Sequence, residues 1–167
     1  FGGSEYGDVR GTDNAFLQII NDEGVNAEFN VGSLIIQAPD AGNKTSFLVG
    51  HGANVKTSSP VIVQAQKEGA TAQLLLGDTS SNEAFYNLNT PEVQLKGPGD
   101  AKVVFNNGHT GDSAQELRIP IVGSGSVEIQ SGRTLFTVPT SYDGQTLIAE
   151  QGTLILPTLS SVGQSNI

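Results

Sequence analysis

Short runs of β-forming residues fill this chain, and each closes within a few positions on glycine, proline or an Asn/Asp pair. No apolar period of 3.6 residues is sustained over about eleven residues, so no amphipathic helix is expected. The clearest runs are Phe16 to Ile20, Ala27 to Val31, Ser33 to Gln37, Thr45 to Val49, Val61 to Ala65, Ala72 to Leu76, Glu92 to Leu95 and Ala101 to Phe105. They continue as Leu117 to Val122, Ser126 to Gln130, Thr134 to Val138, Thr146 to Ala149 and Thr153 to Leu156. Within Ser126-Val127-Glu128-Ile129-Gln130 the apolar Val127 and Ile129 share one face and the polar residues share the other. That alternation describes a strand with one buried side.

About thirteen short strands without helices leave a sandwich, a barrel or a solenoid. A sandwich advertises tight hairpin turns, most strongly Asn-Gly or Asp-Gly. Only Asn107-Gly108 and Asp143-Gly144 are of that kind. Most breaks are a lone glycine or a brief loop, as at Gly24, Gly32, Gly69, Gly132 and Gly152. Such breaks turn a corner without reversing the chain, and glycine tolerates the positive φ that corners demand. Strands joined by corners stack on their counterparts one turn later, in a parallel ladder with a spacing of about 4.8 Å. An imprecise internal period of roughly 20 to 30 residues agrees with that.

Composition narrows the function. The 167 residues include 21 glycines and carry a net charge of −9, with eight basic residues scattered along the chain. No basic patch forms, which argues against nucleic acid as a partner. No apolar run approaches the roughly 18 residues of a membrane span, and Phe1-Gly2-Gly3-Ser4 does not open a signal peptide. The start at Phe1 suggests a fragment excised from a longer chain. The absence of cysteine excludes disulfides, thiolate catalysis and Cys-ligated zinc, and fits passage through an oxidising compartment.

The C-terminal third carries a resemblance. Ile119-Pro120-Ile121-Val122-Gly123-Ser124-Gly125-Ser126-Val127, then Ser131-Gly132-Arg133-Thr134-Leu135, is similar to the passenger-associated repeat of bacterial autotransporters. Tyr142, Gly144, Thr146, Ile148, Gly152, Thr153, Leu154 and Leu156 fall on the second half of that repeat. Three departures stand out. Gln130 replaces the usual lysine, Phe136-Thr137 breaks the Leu-x-Leu alternation after Leu135, and the interval from Ile148 to Gly152 is one residue longer than usual, which suggests a bulge or a wider corner.

The resemblance implies a right-handed single-stranded parallel β-helix of roughly seven rungs, a rod about 35 Å long. On this view residues 1–167 form a single β-helical segment, with the repeat at about 119–156 and a polar tail at 157–167. The resemblance further implies a secreted or surface-displayed bacterial passenger, exported through the periplasm and joined in its parent chain to a C-terminal outer-membrane β-barrel. Its expected role is non-enzymatic and structural, supporting adhesion or virulence and aiding passenger folding and secretion. A host-surface or self-association partner is compatible with this; no nucleic acid and no cofactor are expected. The alternative is a β-helical polysaccharide-degrading or tail-spike enzyme, and a carbohydrate-binding sandwich is a third option.

The inward positions of such a coil should be Leu34, Ile36, Val61, Val63, Leu74, Leu76, Val103, Phe105, Ile119, Ile121, Val127, Ile129, Leu135, Ile148, Leu154 and Leu156. Candidate chemistry is sparse. Gly111-Asp112-Ser113 resembles a serine-protease nucleophile motif, but Ala114-Gln115 follows where a glycine is expected. His109 lies in the same loop, whereas triad members converge from separate elements, so a polar loop is favoured. His51, between Gly50 and Gly52, is expected as an exposed turn histidine. Acidic turns at Asn21-Asp22-Glu23-Gly24, Gly77-Asp78, Gly99-Asp100 and Tyr142-Asp143-Gly144 match no calcium loop, and solvated turns are favoured. Glu28, Glu92, Glu116 and Glu128 are outward carboxylates of unknown proximity. Phe85 and Tyr86, within Ser80 to Asn89, are the candidate binding loop, weighed against a hydrophobic cap over the core.

Overall fold

Strands form where β-branched and aliphatic residues alternate with polar ones. In Val61-Ile62-Val63-Gln64-Ala65 the first, third and fifth side chains are buried and the others are half-exposed. The computed structural model describes residues 7–10, 15–20, 27–78 and 85–157. The described residues contain no helix and are organised as parallel sheets. In chain order the strands are β1 (Gly7–Arg10), β2 (Ala15–Ile19), β3 (Ala27–Val31), β4 (Leu34–Ala38), β5 (Lys44–Val49), β6 (Ala53–Thr57), β7 (Val61–Ala65) and β8 (Thr71–Leu76). Then follow β9 (Asn87–Asn89), β10 (Val93–Lys96), β11 (Asp100–Asn106), β12 (Gln115–Leu117), β13 (Ile121–Gly123), β14 (Ser126–Phe136), β15 (Ser141–Tyr142) and β16 (Thr146–Ile155).

From β1 to β8, and again at β10 and β11, each strand pairs with the third one after it. One sheet has the order β1-β4-β7-β10-β13-β15, a second runs β2-β5-β8-β11-β14-β12 with β16 also on β14, and a third is β3-β6-β9. All described pairings are parallel. The chain therefore visits the sheets in rotation. Hydrogen-bonded side chains on successive circuits are 27 residues apart at Gln37 and Gln64 and 33 apart at Asn54 and Asn87. Near the end the interval shortens to 20, between Leu117 and Thr137.

Registered pairing lines apolar side chains into columns. Leu34, Val61, Val93 and Ile121 form one, and Phe47, Leu74, Val103 and Val127 form another. All eight are fully buried. Each such burial contributes about 1.5–3 kcal/mol relative to exposure. The core thus lies between the sheets and runs from circuit to circuit.

The structure departs from the sequence-based expectations at several points. Leu117 to Val122 is two strands rather than one: Leu117 ends β12 in the second sheet and Ile121 begins β13 in the first. Pro120, which has no N–H to give a ladder, occupies the corner, and its carbonyl accepts from the Val93 amide at 2.9 Å. Gly132 takes the positive φ expected of a corner, +72°, but it and Gly152 lie opposite each other within the continuous strands β14 and β16, just after a register shift. Leu135 does not face the core. A register shift between Ile129 and Ser131 reverses the alternation of β14, so Val127 and Ile129 point inward before it and Thr134 and Phe136 after it. A single inserted residue has that effect because side chains alternate with a period of two. Ile148 pairs with Ile129 yet is 40% exposed, since no further strand covers β16 among the described residues. The added residue between Ile148 and Gly152 falls at this same shift.

Candidate functional site

The third sheet ends at β9, and β12 on the following circuit does not pair with it but with the far half of β14. A cavity of about 510 Å³ occupies the gap, lined by Leu76, by Phe85 to Leu88 and by Ser113 to Ile119. The candidate loop residues therefore lie together with residues about thirty positions downstream. Phe85 is 52% exposed, whereas Tyr86 is buried in the core. The pair divides between the two expected roles: Tyr86 fills the core, and Phe85 stands at the rim. Residues 80–84 of that loop fall outside the described residues.

Gln115 ties the two sides of the gap together. Its side-chain oxygen accepts from the Tyr86 amide and its Nε2 donates to the Tyr86 carbonyl, both at 3.4 Å. One glutamine side chain thus satisfies the backbone groups that a neighbouring strand would have met. The Tyr86 hydroxyl is buried without a partner among the described residues, and burial pushes the phenol well above the ordinary tyrosine range.

His109 and Ser113 meet, with Nδ1 and Oγ 2.9 Å apart. His109 is fully buried under Phe85, whose ring centroid is 4.4 Å away, and its Nε2 has no partner among the described residues. Among the described residues no carboxylate orients the imidazole, the role an acid plays in a triad. The Ser113 amide donates to the Thr110 carbonyl at 3.2 Å, so the contact closes a turn. His51 lies in a turn as expected but is half-buried rather than exposed: its Nδ1 is 2.5 Å from the Asp78 carboxylate, and its amide donates to that same oxygen at 3.1 Å.

The four outward glutamates are not brought together by any described contact. Glu116 accepts from Arg118 at 2.7 Å, Glu128 faces Lys102 at 3.9 Å, Glu92 accepts from Gln94 at 2.5 Å, and Glu28 lies exposed in β3. No cluster of three potential metal ligands exists among the described residues. Of the acidic turns, Asp78 holds His51, Asp100 is 3.1 Å from Lys102, Asp143 is exposed, and the turn at 21–24 lies outside the described residues.

The repeat-motif residues acquire physical roles. Gly123 has φ +102°, and a Cβ there would stand 2.2 Å from the Leu95 carbonyl oxygen of the preceding circuit. Gly144 donates to the Gly125 carbonyl at 3.0 Å, and a Cβ on it would lie 2.1 Å from that oxygen. Tyr142 is fully buried, with its hydroxyl 2.6 Å from the Thr146 hydroxyl. The motif Tyr-x-Gly-x-Thr is thus a corner: an anchored ring, a close backbone approach and a buried hydroxyl pair. Leu154 and Leu156 pack half-buried against the core, while Thr153 is exposed.

Sequence reasoning missed Gln115 and Arg133. Arg133 lies just after the register shift, with its Nε buried and without an acceptor among the described residues. The lysine-to-Gln130 departure and the irregular spacing near Gly152 were signals of an irregular corner, but not of what lines it. Searches of family models, curated proteins and solved structures found no match to this chain.

Proposed function

We propose that the parallel sheets are the faces of a right-handed parallel β-helix of roughly seven rungs. Its role is that of a non-enzymatic structural segment in a secreted or surface-displayed autotransporter passenger. The observation that carries the reading is the pairing of strands in parallel with the third strand after them, so that identical faces recur along the chain. The continuous apolar columns add support, as does the tight corner at Tyr142, Gly144 and Thr146. In this role each circuit offers its open ladder to the next, so folding proceeds circuit by circuit as chain emerges at the cell surface. The parent's outer-membrane β-barrel and a host-surface or self-association partner belong to the same proposal.

Two experiments test it. Small-angle scattering of the purified chain should give a rod-like profile; a globular profile overturns the β-helix. Gly144→Val in the parent protein should lower surface display while leaving synthesis unchanged. Undiminished display overturns the passenger role.

A further inference from the structure

At the register shift of β14 the second sheet opens a polar hollow of about 450 Å³. It is separate from the cavity beside Phe85. Bulges re-aim side chains, and here the pairings of β14 with β11 and with β16 lose register at the same place, between Phe105 and Asn106 and between Ile129 and Ser131. The walls are Asn107 to Gly111, Ser131 to Arg133, Gln151 and Thr153. Among the described residues they include one guanidinium, one imidazole, hydroxyls and amides, but no carboxylate and no large apolar side chain.

Arg133 is the unusual member. In a chain of net charge −9, it makes no ion pair among the described residues, whereas Arg118 is held by Glu116 at 2.7 Å. Among the described residues its Nε is buried without an acceptor, and His109 Nε2, in the same wall, is buried without a partner. Buried polar atoms left unsatisfied cost stability, and such atoms around a hollow mark where a ligand's acceptors fit. The guanidinium fork matches a carboxylate in a way that a lysine ammonium cannot. Gln151 and Thr153, exposed on β16, offer amide and hydroxyl groups of the kind that sugar hydroxyls pair with. The volume falls in the range of about 300–1,000 Å³ usual for small-ligand sites.

We propose that this hollow binds an anionic saccharide, a sugar carrying a carboxylate. The carboxylate lies on Arg133, and the ring hydroxyls lie against Gln151 and Thr153. This goes beyond the scaffold role and stands without it.

The probe is D-glucuronate, titrated into the purified chain and followed by amide chemical shifts, with D-glucose and acetate titrated in parallel. Glucuronate is expected to bind with a Kd near about 1 mM, at least tenfold tighter than either comparator. Arg133→Gln should weaken it by about tenfold or more. Thr153→Phe, at an exposed position that tolerates substitution, should block the hollow and abolish the shifts even if the arginine variant folds poorly. The proposal is overturned by absent glucuronate binding, by equal affinity for acetate or glucose, or by binding that survives Thr153→Phe.

Discussion

The two halves of the molecule solve one packing problem with different amounts of chain. Between β4 and β9 the strands belong to three separate sheets, and the circuits take 27 to 33 residues. From β12 onward the interval falls to 20, and two faces are joined by the long strands β14 and β16, which carry a bulge where the first half has a corner. The first half keeps alternation intact and uses loops; the second keeps the chain short and gives up alternation once. Both irregular hollows lie where the two regimes meet: one beyond the edge of β9, the other on the bulge.

Inserting one alanine after Gln130 attacks the second regime most directly. It adds a second residue where the pairing with β11 already skips one, so with the ladder kept Leu135 turns inward and Phe136 turns out. The loss should be about 3–5 kcal/mol, the scale of removing a buried aromatic. Urea denaturation followed by far-UV circular dichroism measures it, since the chain has no tryptophan. In the first regime Leu74→Ala, in the middle of its column, should cost about 2–5 kcal/mol, while Leu147→Ala on the open side of β16 should cost about 0.5 kcal/mol or less. Comparable losses would erase the distinction between covered and uncovered strands.

Gly144→Ala tests the compact corner. Its methyl would press on the Gly125 carbonyl, and about 1–3 kcal/mol should be lost. A neutral result would mean that the corner yields. The junction between the halves gives a small effect of opposite sign. Tyr86→Phe removes a buried hydroxyl without a partner among the described residues and should change stability by about 1 kcal/mol or less, toward greater stability.

The same phenol gives a signed pH dependence. Its folded pKa lies above the unfolded value of 10.0, so the folded chain keeps a proton that the unfolded chain loses. Stability is whole below pH 10 and declines above it, by about 1.4 kcal/mol per pH unit. Denaturation at pH 9 and pH 11 should show the decline in the native chain, and Tyr86→Phe should remove that part of it.

Regular alternation was legible in the sequence: Val61 with Val63 and Val127 with Ile129 are buried where the pattern placed them, although Phe47 and Val93, which complete their columns, were not among the expected inward positions. β6 was not, because Ala53-Asn54-Val55-Lys56-Thr57 buries only small side chains and a threonine. Nor was β9, whose Asn87-Leu88-Asn89 holds a single apolar residue. Leu135 misled because one inserted residue inverts every position after it, and the sequence does not mark where the partner strand skips. The sites were less legible still. Gln115 bracing the Tyr86 backbone, and Arg133 beside Gln151 and Thr153, are juxtapositions set by register between circuits. At the corner of Tyr142, Gly144 and Thr146 only the Tyr142–Thr146 hydroxyl pair could be read locally, since it spans four residues, whereas Gly144 meets Gly125 of the preceding circuit.

The rotation of the chain through its sheets has a mechanical corollary. Each circuit is held chiefly by the ladders to the circuits before and after it, so tension on the two ends peels the structure from its termini instead of shearing it as a block. Each step frees one circuit, about 27 residues in the first half, and lengthens the tether by about 90 Å. The shorter circuits of the second half release less chain per step. Stretched in this way, the molecule pays out slack in measured lengths and retains its remaining circuits intact.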